Sequence, residues 1–334
     1  MDAGDHAPAL RFGILGCARI ARRGMIAGIQ DAPSAELVAI ASRDAAAASA
    51  WAAEFAIPRH YASYAALLAD RDIDAVYIPL PNQLHREWTQ AAASAGKHVL
   101  CEKPLGLDYA DAQAIVQVCA QAGAILMEAF MWRHHPRVEH ARRMVAAGEL
   151  GDLQLIKMDF SFDIDRSDWR LDPRQGGGAL FDLGCYGINA ARLFTGAEPL
   201  EVQCRSRFHD AGADMTSAIL LRFPGDVLAA LDASFTAPYR NRMELVGSKG
   251  ALEFPGGVLP PPESELIFRT DAGAQPIAFP QAQQYADQVE AFCASVAAGK
   301  LLPPAEDGLA NMKVLDAALQ SARSLDLPSK RPTS

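Results

Sequence analysis

Gly16-Cys17-Ala18-Arg19-Ile20-Ala21 closes the first apolar run of the chain, Arg11–Gly16, and opens a stretch of helical length. The six residues follow the pattern G-x-G-x-x-G/A, with Ala18 at the second glycine. In that pattern the first glycine permits a tight turn and the second lets a pyrophosphate approach the backbone. The third position packs the helix on the strand and accepts Ala. Free N–H groups at the helix start then face the phosphates. Ala18 is a departure, because its methyl group stands where the pyrophosphate would come closest. An ordinary strand–turn–helix that binds no nucleotide fits the same six residues, so the surroundings have to decide.

Outward from this stretch the chain alternates in a regular way. Arg11–Gly16, Leu37–Ser42, Ala75–Leu80, His98–Lys103 and Ala124–Phe130 read as strands, and Ala18–Ile29, Asp44–Phe55, Asn82–Ala95 and Leu107–Ala122 as helices. Apolar strands without polar alternation are buried on both faces, as in a parallel sheet. Strand–helix alternation predicts βαβ units and a doubly wound, Rossmann-type sheet. Ligands bind such a sheet at the carboxyl ends of its strands. After a helix over Pro136–Gly148 the character changes. Leu153–Phe162, Val202–Phe208, Thr216–Phe223, Val227–Phe235 and Arg242–Val246 read as strands, several of them nearly alternating, with Pro224-Gly225-Asp226 as a turn. Short turns between consecutive strands predict a mainly antiparallel sheet. A helix follows Gly176-Gly177-Gly178, the stretch Pro255–Glu263 is a loop, and Ala282–Ala298 and Asp307–Leu325 are helices. The fold class is therefore α/β. The expected domains are residues 1–130 and 131–334, with the C-terminal helix able to pack back on the first.

Composition excludes several classes. The chain has 334 residues, half of them hydrophobic, which is ample for two domains. Its 31 basic and 40 acidic residues leave a formal charge of −9, against the basic surface that a non-specific nucleic-acid binder needs. No apolar run reaches the roughly 18 residues of a membrane span. The first ten residues lack the basic and apolar pattern of a signal peptide. Six scattered cysteines without C-x-x-C spacing fit a reducing compartment. A cytoplasmic protein is expected.

Five further segments carry chemistry. The second strand ends in Ser42-Arg43, where the adenosine-ribose reader belongs, about 20 residues after the glycines. An acid there would bind a free 2′-hydroxyl. A hydroxyl beside a guanidinium suits a 2′-phosphate and points to NADP. The alternative makes Arg43 a solvated charge and Asp44 the reader. The third strand runs into Leu80-Pro81-Asn82-Gln83-Leu84-His85, with Asn82 as N-cap. A capping or packing role is the stronger one for His85. Next come Cys101-Glu102-Lys103-Pro104, which put a lysine at the carboxyl end of a buried strand. Beside a cationic nicotinamide it would titrate low or lower a neighbour's pKa; a surface lysine is the plain alternative. The fourth segment pairs Asp182 with Tyr186, four residues apart on one helix face. A phenol with a free pKa of about 10 needs a nearby ammonium to serve as a base. Dipole-stabilised Asp182 and a merely packed Tyr186 fit the spacing equally well. Trp169 and Arg170, in the loop Asp168–Pro173, could flank a nicotinamide or a sugar, and a capped loop with a Trp anchor is the plain alternative. The histidines in Met131-Trp132-Arg133-His134-His135 lack an acidic partner at ligand spacing, so no metal site is expected.

Gly16–Ala21, Glu102-Lys103-Pro104 and Asp182-x-x-x-Tyr186, in this order and spacing, resemble the Gfo/Idh/MocA oxidoreductase family over roughly residues 10 to 325. Met127–Arg133 and Trp169–Pro173 are similar to a branch containing NADP-dependent D-xylose 1-dehydrogenases and dimeric dihydrodiol dehydrogenases. The resemblance implies a second domain built on a large open sheet that forms a homodimer interface. It implies Lys103 and Tyr186 as the catalytic pair and Asp182 as their orienter. Gly16, Cys17, Ala18, Arg19, Ile20, Ser42 and Arg43 would hold the adenosine half of NADP. Leu80, Asn82, His85, Glu102, Lys103 and Arg170 would hold the nicotinamide half. The expected reaction is hydride transfer from the C1 hydroxyl of an aldose to give a lactone. The rivals are a trans-dihydrodiol or cyclic polyol as substrate with the same residues, and an NADP-binding sensor without catalysis.

Overall fold

A computed structural model describes residues 8–301 and 305–324. Residues 1–7, most of the segment searched for a leader, lie outside it, as does Leu325, the expected end of the last helix. The chain divides into two units. One runs to His135 and takes in Gln283–Leu309; the other holds Pro136–Ala282 and continues from Ala310. The expected boundary at residue 130 therefore moves, and the helix Gln284–Ala297 joins the first unit. The reason is apolar packing. Its Val289 and Phe292 are fully buried in one cluster with Phe12, Ile14 and Ile40, and the rings of Phe12 and Phe292 lie 5.6 Å apart.

Six strands make the sheet of the first unit: β1 Leu10–Leu15, β2 Ala35–Ala41, β3 Arg59–Tyr61, β4 Ala75–Ile78, β5 His98–Cys101 and β6 Leu126–Glu128. They pair in parallel in the order β3-β2-β1-β4-β5-β6. This is the doubly wound order, and the chain switches direction between β1 and β4, where a ligand crevice forms. Ile14, Val76, Tyr77, Leu100 and Cys101 are wholly buried, as strands covered on both faces must be. The helix after β1 is not regular. It begins with a π-type turn at Ala21–Met25 and becomes an α-helix at Ile26–Asp31. Its Gly24 faces the ring of Tyr285 so closely that a Cβ would collide with it, and a Cβ on Gly28 would sit 2.7 Å from the Tyr285 Cβ. The glycines let this helix lie directly on Gln284–Ala297. β3 and the helix Tyr64–Leu68 were not anticipated.

The second unit is a sheet of eight strands: β7 Leu153–Ser161, β8 Glu201–Phe208, β9 Asp214–Arg222, β10 Leu228–Ser234, β11 Arg240–Gly247, β12 Ala251–Phe254, β13 Ser264–Thr270 and β14 Gly273–Phe279. Their order is β14-β13-β12-β11-β7-β10-β9-β8, antiparallel except for β7 beside β10. Ile156, Met158, Ile219, Leu231 and Leu245 bury one face. On that face lies the helix Cys185–Thr195, where a Cβ on Gly187 would already press Leu231 at 3.2 Å. The other face carries Leu220 and Leu228, 43% and 37% exposed. Among them run ion pairs between strands: Lys157–Glu244 at 3.1 Å, Arg242–Asp159 at 3.2 Å and Arg240–Asp232.

Candidate active site

In the first unit the expected residues collect at the carboxyl ends of β1, β2, β4 and β5. Gly16 adopts φ +113°, which only glycine takes without strain, and donates its N–H to Ala41 O at 2.8 Å. A Cβ on it would meet the Leu80 side chain at 2.8 Å, so Leu80 covers the turn. Cys17 is half-buried. Burial pushes its thiol pKa up, and a hydrogen bond with Ser42 pulls the other way. Ala18 and Ile20 are partly exposed, and Arg19 is exposed. Ser42 accepts from the Asp44 N–H at 3.1 Å.

Asp44 settles how its own carboxylate is used. It caps the helix Ala45–Glu54, accepting from the N–H groups of Ala46 at 2.9 Å and Ala47 at 3.2 Å. Arg43 remains exposed, and its charge lowers the pKa of the Tyr64 phenol against the larger upward effect of burial. A cationic side chain beside a small hydroxyl, with the neighbouring acid turned into its helix, fits a 2′-phosphate.

At β5 the Glu102 carboxylate accepts from the Tyr77 hydroxyl at 2.5 Å and from the Lys103 N–H at 3.3 Å. The Lys103–Pro104 bond is cis. Two expectations change here. Asn82 is buried and sits inside a 3-10 turn, Asn82–Leu84, and the helix proper starts at His85, so Asn82 is not its N-cap. His85 is fully buried and does not line a crevice. Its Nδ1 lies 3.0 Å from Pro104 O and its Nε2 2.8 Å from Leu80 O. The ring stands between the end of β4 and the turn that follows Lys103, donating to one of the two carbonyls when neutral, and its full burial leaves it no surface to offer a cofactor. Burial, the largest effect, lowers its pKa to about 4.

In the second unit the loop before the glycines folds into two 3-10 turns, Trp169–Leu171 and Pro173–Gln175, capped by Asp168 and Asp172. Arg170 is the hub. Its Nε and one terminal nitrogen donate to the two oxygens of Asp168 at 3.0 and 3.1 Å, and the other terminal nitrogen donates to Asp182 Oδ2 at 2.7 Å. The guanidinium carbon lies 5.3 Å from the Phe162 ring and 5.7 Å from Phe235. Burial would lower the Arg170 pKa, but Asp182 and Asp168 raise it above its ordinary value. This geometry gives Arg170 a structural partner in Asp182, which the cofactor assignment did not foresee. Gly178 N–H donates to Arg170 O at 2.9 Å, and a Cβ on Gly177 would collide with that carbonyl, so the glycine run is required by close approach.

The helix after the glycines opens with a second π-type turn, Leu180–Gly184, before the α-helix Cys185–Thr195. Such turns are rare and favour functional sites. Asp182 lies in the turn and Tyr186 in the helix, buried beside Phe160 at 6.0 Å between ring centroids. Sequence reasoning passed over Asp214, which touches the start of this turn. The one available signal was an acid placed directly before an apolar strand.

Comparison with known proteins bears on the same residues. Residues 10–130 match the oxidoreductase family with an NAD-binding Rossmann fold, and residues 138–253 match the GFO/IDH/MocA C-terminal domain. The chain is 40% identical over 320 residues to D-xylose 1-dehydrogenase (NADP(+)) 2 of Haloferax volcanii, covering 94% of this chain and 98% of the relative. It is 34% identical over 245 residues to the mouse trans-1,2-dihydrobenzene-1,2-diol dehydrogenase, covering 72% and 73%. A 3-ketoreductase from Actinomadura kijaniata, solved in complex with NADP and TDP-benzene, superposes with a TM-score of 0.88 at 34% identity, covering 94% of this chain and 98% of that one.

The buried ring of His85 makes a pH prediction. Its folded pKa of about 4 lies below the unfolded value of about 6.5. Between these values the unfolded chain binds the proton and the folded chain does not, so stability falls as pH drops from about 6.5 towards 4. His85→Gln should flatten this part of the stability–pH curve by up to about 3 kcal/mol, measured by urea unfolding at stepped pH. An unchanged curve would remove the assignment.

Proposed function

Because the chain belongs to the GFO/IDH/MocA oxidoreductase family, we propose that it oxidises the C1 hydroxyl of an aldose to the lactone. It is an NADP-dependent oxidoreductase acting on CH–OH groups. The observation that carries the aldose reading is the likeness to the xylose dehydrogenase along nearly the whole of both chains. Bound NADP supplies hydride acceptance and, in the reverse direction, donation.

The chain's own residues supply the rest. Gly16, Cys17, Ala18, Arg19, Ile20, Ser42 and Arg43 are proposed for the adenosine half, and Leu80, Asn82, Glu102 and Lys103 for the nicotinamide half. Tyr186 takes the proton of the substrate hydroxyl. The Lys103 ammonium holds the substrate oxygen and draws the phenol's pKa down. Asp182, gripped by Arg170, orients Tyr186. In reverse Tyr186 is the acid that protonates a carbonyl oxygen.

A second substrate class, trans-dihydrodiols, is favoured by the likeness to the mouse enzyme. It needs the same residues, and a panel of aldoses and diols assayed with NADP⁺ by nicotinamide absorbance separates the two. Turnover of an aldose is expected, and a panel without sugar turnover would sink the first reading. Tyr186→Phe should lower kcat about 100- to 10,000-fold with little change in NADP affinity. Equal turnover by that variant would end the assignment of Tyr186.

Arg43→Ala should raise the KM for NADP at least about tenfold and leave that for NAD nearly unchanged, because only the 2′-phosphate loses a charge-assisted bond. Parallel saturation curves with the two cofactors test this.

We also propose that the bare face of the eight-stranded sheet receives a second copy of the chain. Exposed Leu220 and Leu228 supply apolar area, and the ladder of paired charges around them is matched in sign. Leu220→Asp with Leu228→Asp should halve the mass seen in sedimentation equilibrium, and a parent already monomeric at micromolar concentration contradicts the dimer. No disulfide joins the cysteines among the described residues. This supports a cytoplasmic setting, which cell fractionation checks.

A further inference from the structure

We infer that Asp214 is the positioning residue for Asp182 and Tyr186, an inference that rests on the reading of those two as reacting groups. Asp214 opens β9 and is 2% exposed. A buried carboxylate has to be met by donors, and two of them reach Oδ2. Leu180 N–H does so at 2.7 Å and the Ser217 hydroxyl at 2.8 Å. With its proton directed there, Ser217 accepts from Ser206 at 2.7 Å. A hydroxyl chain thus runs from β8 through β9 to the carboxylate.

The point of attachment is what matters. Leu180 is the first residue of the π-type turn, where amides lack partners within the helix. The carboxylate therefore sits at the positive end of the helical run that carries Asp182 and Tyr186. The other oxygen, Oδ1, fills the place where a Cβ on Gly178 would be, and Gly178 has φ +129°. Side chain and glycine interlock at the residue where loop becomes helix. Gly178 O in turn accepts from the Asp182 N–H at 3.0 Å. Asp214 thus fixes the phase in which the helix starts. A slip of one residue there would rotate Asp182 and Tyr186 by about 100° each. Burial pushes the Asp214 pKa up, and the Ser217 and Leu180 donors work against it.

The test compares Asp214→Ala, Asp214→Asn and Ser217→Ala with the parent by hydrogen exchange of the peptide spanning Leu180–Tyr186, NADPH affinity by fluorescence, and kcat and KM. Asp214→Ala should lose protection in that peptide about tenfold and kcat about 100-fold, with NADPH affinity within about twofold. The amide oxygen of Asp214→Asn still accepts from Leu180, so protection should persist and kcat recover to within about fivefold of the parent. Should Asp214→Ala fail to fold, Ser217→Ala carries the test, with kcat down about threefold and KM unchanged. Unchanged protection in Asp214→Ala, or lost protection with full kcat, overturns the inference. So does an Asp214→Asn variant as impaired as Asp214→Ala. A parent that turns over no substrate defeats the reading of Asp182 and Tyr186, while the exchange result still decides whether Asp214 anchors the turn.

Discussion

A sheet covered on both faces can offer a ligand only the ends of its strands, and the first unit is built around that constraint. Ile14, Tyr77, Leu100 and Cys101 have no solvent exposure, so polar function has to begin where each strand stops. Gly16, Ser42, Leu80 and Glu102 occupy these stops. The strands also have to end level with one another. The Gly16 N–H on Ala41 O aligns β1 with β2, and His85, between Leu80 O and Pro104 O, aligns β4 with the turn after β5. The turn that carries Lys103 thus leans on the fully buried ring of His85.

The second unit meets the opposite condition. Its sheet is covered on one face by a helix and presents paired charges and leucines on the other. Function here gathers at the start of the covering helix. Acids do most of the local work. Asp168 and Asp172 cap 3-10 turns, as Asp44 caps a helix in the first unit, and Asp214 reaches the Leu180 amide from a strand. A carboxylate used on backbone amides has less capacity left for a ligand. That is why the arrangement around Asp44 favours Arg43 as the partner of a phosphate.

Much of this was legible in the sequence because periodicity and glycine placement report local geometry. Five of the six parallel strands were plain from unbroken apolar runs, and the glycine run before Asp182 announced a close approach. The misses share a cause. Arg59–Tyr61 is a short polar edge strand with no apolar pattern, β12 has four residues, and β13 is joined to a β14 that carries Pro276 inside it. The Asn82 cap failed because a 3-10 turn intervened before the helix, and such a turn has no signal beyond that of the helix itself. The roles of His85 and Asp214 depend on partners 19 and 34 residues away, a separation that local patterns do not encode.

Charge balance around the proposed base sets a further constraint. Arg170 is one cation shared by two carboxylates, Asp168 in the loop and Asp182 in the helical run, so the trio keeps one net negative charge at the start of the run that carries Tyr186. A nearby negative charge raises a phenol's pKa and works against its use as a base. On the proposed reading the trio would orient Tyr186 rather than activate it. The cation that lowers the phenol's pKa would then be Lys103, in the role proposed for it. The overall charge of −9 is compatible with this, since the chemistry depends on where single cations are held and by what.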